Sequence, residues 1–227
     1  MADVAVVDYG MGNLRSVAKA LEHVAPRCTV AITADPEEIA RAARVVFPGQ
    51  GAMPDCMREM DARGLRGVVV AATREKPFLG ICIGLQMLFE ASEEGDTPGL
   101  GLLPGRVRRF PAEKMVDAQG ARLKVPHMGW NGVHQTTPHP LWEGIAQDSR
   151  FYFVHSYFPE PAARALTAGE SVYGVRFSCA AGRDNVFAVQ FHPEKSDEAG
   201  LRLLANFMAW QPDARRPTPQ AAAFPSI

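Results

Sequence analysis

The first ninety residues alternate short apolar runs with segments of helical periodicity. DVAVVD at residues 3–8, Thr29–Thr33, Arg44–Phe47 and Pro77–Ile81 are β-rich and carry almost no charge inside. A strand that is apolar at every position needs both of its faces covered. That requirement predicts a mainly parallel sheet with helices packed on either side, so the fold class is α/β. The intervening helices are expected over Leu14–Val24, from Pro36 onward, over Met53–Met60, over Leu65–Thr73 and over Gly84–Ala91. Asn13 stands where a helix N-cap belongs. Asp35-Pro36-Glu37-Glu38 has a capping acid, proline at the first helical position and acids in the first turn.

After about residue 100 the texture changes. Short strand candidates follow one another at Arg106–Phe110, Leu123–Val125, Gly132–Gln135, Arg150–Val154, Val172–Phe177 and Asn185–Gln190, separated by Gly, Pro and Asn. This half is expected to be more antiparallel. A last helix is predicted over Asp197–Trp210, with Leu201, Leu204, Phe207 and Met208 on one stripe. Residues 211–227 contain four prolines and a triple alanine, and read as a disordered tail. Residues 1–210 are therefore expected to form a single domain.

Composition excludes several functions. Lys and Arg total 24 against 25 Asp and Glu, a net charge of −1, so there is no global basic footprint for nucleic acid. No apolar stretch approaches the ~20 residues of a membrane span. The N-terminal residues lack a basic and then apolar leader, so no secretory signal is expected. Cys28, Cys56, Cys82 and Cys179 have no paired spacing. That argues against a disulfide framework or a zinc ribbon and fits the cytoplasm.

Three local patterns carry chemistry. In Phe78-Leu79-Gly80-Ile81-Cys82-Ile83-Gly84-Leu85-Gln86 an apolar strand runs through G-x-C-x-G into a helix. This is the nucleophile-elbow pattern with cysteine as the nucleophile. The glycines make room for a strained turn, and a helix N-terminus at the sulfur favours the thiolate. Alone, Cys82 also reads as a buried core cysteine. In Gln190-Phe191-His192-Pro193-Glu194, a histidine and a carboxylate two apart share one side of an extended chain. They form a base with its orienting acid. Alone, the segment also reads as a turn that starts a helix. In Phe47-Pro48-Gly49-Gln50-Gly51, a glycine-rich turn after a strand exposes N–H groups that can hold an oxyanion. It lacks the Lys-Ser/Thr of a phosphate loop and also reads as an ordinary turn.

Taken in order, PGQG, GICIGLQ and QFHPEKS resemble the class I, triad-type glutamine amidotransferases over about residues 3–210. DYGMGN at 8–13, PHMGWN at 126–131 and YFVHSY at 152–157 narrow the resemblance to the glutaminase subunits of imidazole glycerol phosphate synthases. Those of anthranilate and aminodeoxychorismate synthases share the triad but usually lack the first two stretches. A stand-alone cysteine hydrolase is a further alternative.

The resemblance implies a flavodoxin-like fold and hydrolysis of glutamine to glutamate and ammonia, with no metal and no organic cofactor. It implies that Cys82, His192 and Glu194 are catalytic, and that Gly49, Gly51 and Ile83 form the oxyanion hole. Gln86, His155, Ser156 and Tyr157 match substrate-binding positions. The His155 side chain also reads as a structural histidine at a strand end, and Trp130 and Tyr152 as core aromatics. The implied partner is a (β/α)8-barrel cyclase that receives the ammonia, with Asn13, Met128, Trp130 and Lys195 near the interface. One departure is Gln50, where the family often has valine.

Overall fold

The computed structural model describes residues 2–117 and 119–212; most of the predicted tail lies outside them. In the first half, strands β1 (Val4–Val7), β2 (Val30–Thr33), β3 (Arg44–Gly49) and β4 (Phe78–Cys82) alternate with helices α1 (Leu14–Val24), α2 (Pro36–Arg41), α3 (Met53–Ala62) and α4 (Arg66–Glu75). Then follow α5 (Ile83–Gln86), β5 (Phe89–Ser92), β6 (Thr97–Pro98), β7 (Leu103–Arg109), β8 (His127–Gly132) and β9 (His134–Gln135). The chain closes with β10 (Arg150–His155), β11 (Tyr157–Pro161), β12 (Thr167–Tyr173), β13 (Val175–Arg183), β14 (Val186–Val189) and α6 (Asp197–Ala209).

The main sheet has eight strands in the order β2-β1-β3-β4-β14-β13-β12-β9. The first five are mutually parallel, and β13, β12 and β9 continue antiparallel. β1, β3, β4 and β14 are buried along their whole length. Their apolar character therefore follows from having both faces covered. α1 packs on α6 and α2 on α4; Val17 and Leu21 of α1 and Leu203, Leu204 and Phe207 of α6 are buried. At the start of β3, the Arg44 guanidinium lies over the Phe207 ring and donates to the Trp210 carbonyl, which fixes the end of α6. Two smaller sheets, β11-β7-β5-β6 and β10-β8, stand beside the main one. Among the described residues, no helix is long and apolar enough to cross a membrane.

Several expectations are corrected. The helix predicted over Gly84–Ala91 stops after one turn, and Phe89–Ser92 is a strand. The Met87 and Leu88 carbonyls accept from the N–H groups of Leu100, Leu102 and Leu103 instead of continuing a helix. Leu123–Val125 is not a strand; its apolar side chains pack on the core from a loop. Val172–Phe177 is split between β12 and β13, because Gly174 turns the chain at φ +67°. The region predicted as Gly132–Gln135 is two strands, β8 and β9, and β8 begins at His127. β11, with Pro159 and Pro161, was not expected. It is an edge strand, where proline is tolerated. Asn13 precedes α1, but its side chain makes no capping bond. Asp35 does cap α2, accepting from the Glu37 N–H at 2.9 Å.

The tightest packing lies where α5 crosses β3. A β-carbon on Gly84 would stand 1.8 Å from the Phe47 carbonyl oxygen. No rotamer relieves a clash between two backbones. Gly84→Ala is therefore expected to destabilise the fold by about 3 kcal/mol or more, lowering the melting temperature by on the order of 10 °C. Thermal unfolding followed by circular dichroism checks this.

Candidate active site

β3, β4 and β14 are neighbours, with Gly49 in register with Cys82 and Val189 with Ile81. The carboxyl ends of these strands deliver the PGQG turn, the cysteine and the histidine to one place, the usual ligand edge of an open α/β sheet. Cys82 has φ 56° and ψ −109°, a left-handed conformation for a non-glycine residue at the strand-to-helix turn. The flanking glycines have the spatial task their spacing suggested. A β-carbon on Gly80 would meet that of Ala188 at 2.9 Å, and Gly84 sits against Phe47.

The Glu194 carboxylate accepts from His192 Nδ1 at 2.9 Å, with side-chain exposures of 1% and 7%. The route to this pair differs from the expected extended chain. Pro193–Lys195 is a single 3-10 turn, begun by the fixed φ of Pro193, that folds Glu194 back onto His192. Ser196 secures the turn: its Oγ donates to the His192 carbonyl at 2.6 Å and accepts from the Tyr152 N–H at 2.9 Å. His192 Nε2 is buried and makes no hydrogen bond of good geometry. Catalytic bonds of this kind often close only with substrate present. Burial disfavours the charged imidazole, but the neighbouring Cys82 and Glu194 outweigh it and raise His192 from 6.5 to about 10.

A cavity of about 300 Å³ opens beside the cysteine. Cys82, Ile83, His192, Gln50, Gly51 and Gln86 line it, together with Glu94, Val154, His155, Ser156 and Tyr157. Of the expected oxyanion residues, Gly51 and Ile83 reach the cavity. Gly49 lies behind it, against the Tyr9 hydroxyl and the Ile83 β-carbon. The Cys56 thiol donates to the Gln50 carbonyl at 3.6 Å, and the Gln50 side chain is exposed.

Gln86 Nε2 donates to the Tyr157 carbonyl and to Gln190 Oε1, both at 3.1 Å, which leaves its buried Oε1 without a partner. Gln190 in turn donates from Nε2 to Cys82 Sγ at 3.7 Å. Glu94 and Gln190 were not singled out from the sequence. Glu94 lies in an acidic stretch that reads as surface. Its carboxylate accepts from the Met53 N–H at 2.8 Å and still borders the cavity.

The four proposed interface residues lie on exposed ground. Met128 is 63% and Trp130 39% exposed, Asn13 is exposed and Lys195 half-buried. The Trp130 ring stands edge-on to Tyr152 at 6.2 Å. Cys28, Cys56 and Cys179 are free thiols, like Cys82.

Fold and site together have the form of a nucleophile-elbow protein: a cysteine at a strand-to-helix turn beside a histidine–carboxylate pair, on an open α/β sheet. The family description "Glutamine amidotransferase class-I" matches residues 5–210. A relative from Aromatoleum aromaticum, "Imidazole glycerol phosphate synthase subunit HisH", is 70% identical over 212 residues, covering 93% of this chain and 100% of the relative. One of the same name from Nitrosospira multiformis is 66% identical over 212 residues, with the same coverage of 93% and 100%. A solved glutamine amidotransferase, 17% identical, superposes with a TM-score of 0.67 over 92% of this chain and 100% of that one. The chain belongs to the class-I glutamine amidotransferase family, in its imidazole glycerol phosphate synthase HisH branch.

The raised His192 predicts a pH dependence. Its folded-state value of about 10 exceeds the unfolded 6.5, so its stabilisation is complete below about 6.5 and is lost as pH rises through about 10. The melting-temperature difference between wild type and His192→Gln should shrink across that window. Melting curves in matched buffers measure it.

Proposed function

We propose that the chain is the glutaminase subunit of an imidazole glycerol phosphate synthase. It hydrolyses glutamine and passes the ammonia to a (β/α)8-barrel cyclase subunit. One observation carries the reading: a strained cysteine, a histidine on a buried glutamate and a substrate-sized cavity meet at the ends of three adjacent strands.

With its proton already held on the raised His192, Cys82 attacks the side-chain carboxamide carbon of glutamine as the thiolate. The negative oxygen of the tetrahedral adduct is held by backbone N–H groups of the 49–51 turn and of Ile83. Loss of one such donor typically costs ~3 kcal/mol of transition-state stabilisation. His192 then returns the proton to the departing nitrogen, and ammonia leaves. Water attacks the thioester, and glutamate is released with the thiol restored. Glu194 keeps the imidazole in the tautomer this needs. Gln86 Oε1, unpartnered and buried, is an acceptor for the substrate's ammonium group, and Glu94 supplies the opposing charge. The backbone of Ser156 and Tyr157 closes the other side, with His155 behind it.

Ammonia in neutral water is almost all ammonium, which is not a nucleophile. The acceptor site must therefore receive it before it protonates. The relatives are named as a subunit of a synthase, which supports an acceptor on another polypeptide. Met128 and Trp130, large apolar side chains open to solvent, support a docking face there, with Asn13 and Lys195. The four free thiols support a reducing, cytoplasmic setting.

Glutamine hydrolysis by the purified chain should be slow alone and strongly stimulated by the cyclase with its nucleotide substrate. Full activity alone, or stimulation by a chorismate-binding chain instead, contradicts the reading. Cys82→Ala should abolish hydrolysis and leave the complex intact by gel filtration. Glu94→Gln should raise the KM for glutamine about tenfold with little change in kcat, since it weakens a charge-assisted contact.

A further inference from the structure

β8 and β10 carry two buried imidazoles that the reaction described above does not use. His127 Nδ1 lies 3.1 Å from His155 Nε2, and His155 Nδ1 lies 2.8 Å from the Tyr157 carbonyl oxygen. Asn131 Nδ2 lies 3.4 Å from His127 Nε2 and 2.8 Å from the Val172 carbonyl. Only one placement of protons satisfies every contact. The Tyr157 carbonyl can only accept, so His155 carries its proton on Nδ1 and its Nε2 must accept. His127 then also carries its proton on Nδ1, and its Nε2 accepts from the Asn131 amide. The Tyr157 oxygen receives a second donor, Gln86 Nε2. That bond decides which end of the Gln86 carboxamide faces the cavity.

We propose that His127 and His155 form a hydrogen-bonded imidazole relay that positions the Tyr157 carbonyl, and through it the Gln86 oxygen, for glutamine. The inference rests on the proposed function, because it assigns Gln86 and the 155–157 segment to the substrate. Ser156 is the corner at which the chain leaves the β10-β8 sheet for the β11-β7 sheet. The Ser156 carbonyl accepts from the Phe110 N–H at 3.1 Å, and the relay adds a side-chain restraint on the Tyr157 carbonyl beside it. Burial supports the arrangement by holding both rings neutral, His127 at about 4 and His155 at about 3. His127 stacks on Tyr173 at 4.0 Å and on Phe153 at 5.0 Å, so its ring cannot turn away.

His127→Phe keeps an aromatic ring for that stacking, replaces both nitrogens with carbon and enlarges the ring by one atom, so the variant is first checked for a wild-type melting profile. It leaves His155 Nε2 buried without a donor, so the KM for glutamine should rise about tenfold or more. Cys82 should meanwhile react with iodoacetamide within about twofold of the wild-type rate, read on its own peptide by mass spectrometry. His127→Gln, which can again present an N–H to His155, should recover most of the affinity. The assays use the full chain with its cyclase. An unchanged KM in folded His127→Phe overturns the relay, as does a loss of Cys82 alkylation matching the loss of kcat/KM. Histidine-labelled ¹⁵N spectra of the wild type test it without any variant. Both rings should be neutral and protonated at Nδ1 near neutral pH, and a charged ring or the Nε2–H tautomer overturns it. Wild type that hydrolyses no glutamine rejects the proposed function instead, and the spectra still decide the relay.

Discussion

The contact between the Phe47 carbonyl and Gly84 sets the geometry on which everything else depends. It lets α5 lie directly on β3 and so leaves Cys82 no ordinary helical or extended conformation to adopt. The strain at φ 56° persists because the surrounding core over-determines it. β3 and β14 hold β4 on both sides, and every residue of β4 is buried. Cys82 is thus placed chiefly by backbone packing.

The second half of the machinery is held differently. His192 and Glu194 sit on a turn stitched to β10 through Ser196 and Tyr152. His192 is thus tied to β10, and Cys82 belongs to the parallel sheet. Because α5 is a single turn, little macrodipole is available to the sulfur. Its polar surroundings are His192, the Val154 carbonyl at 4.0 Å and the Gln190 carboxamide, and Gln190 is itself oriented by Gln86. Gln86, Gln190 and the sulfur thus share one set of buried hydrogen bonds, while His192, Glu194 and Ser196 form another.

What could be read in the sequence follows the range of the forces involved. The Asp35 cap answers to a neighbour two residues away. The elbow glycines and parallel strands answer to distant ones, Gly80 to Ala188 and Gly84 to Phe47, but leave a local mark in glycine spacing and unbroken apolar runs. The His-Pro-Glu pair was legible as chemistry but not as shape, because proline can continue an extended chain or begin a turn. β8 was missed at its start because Gly129, at φ +135°, and Asn131 do not look like strand residues. What holds β8 is its partner β10, some twenty residues away. Glu94 was invisible for a similar reason. Its place at the cavity depends on the α3 N-terminus, forty residues earlier in the chain.

The anchor of Trp210 on Arg44 has a consequence for how the polypeptide can be extended. Arg44 begins β3 and Gly49 ends it, so the anchor lies about 17 Å of strand away from the level of the sulfur. The described C-terminal chain therefore emerges at the pole of the sheet opposite the catalytic mouth. The described chain at Trp210 thus stands well away from the cavity beside Cys82. The same pole offers a site for a tether or an affinity handle that spares the chemistry.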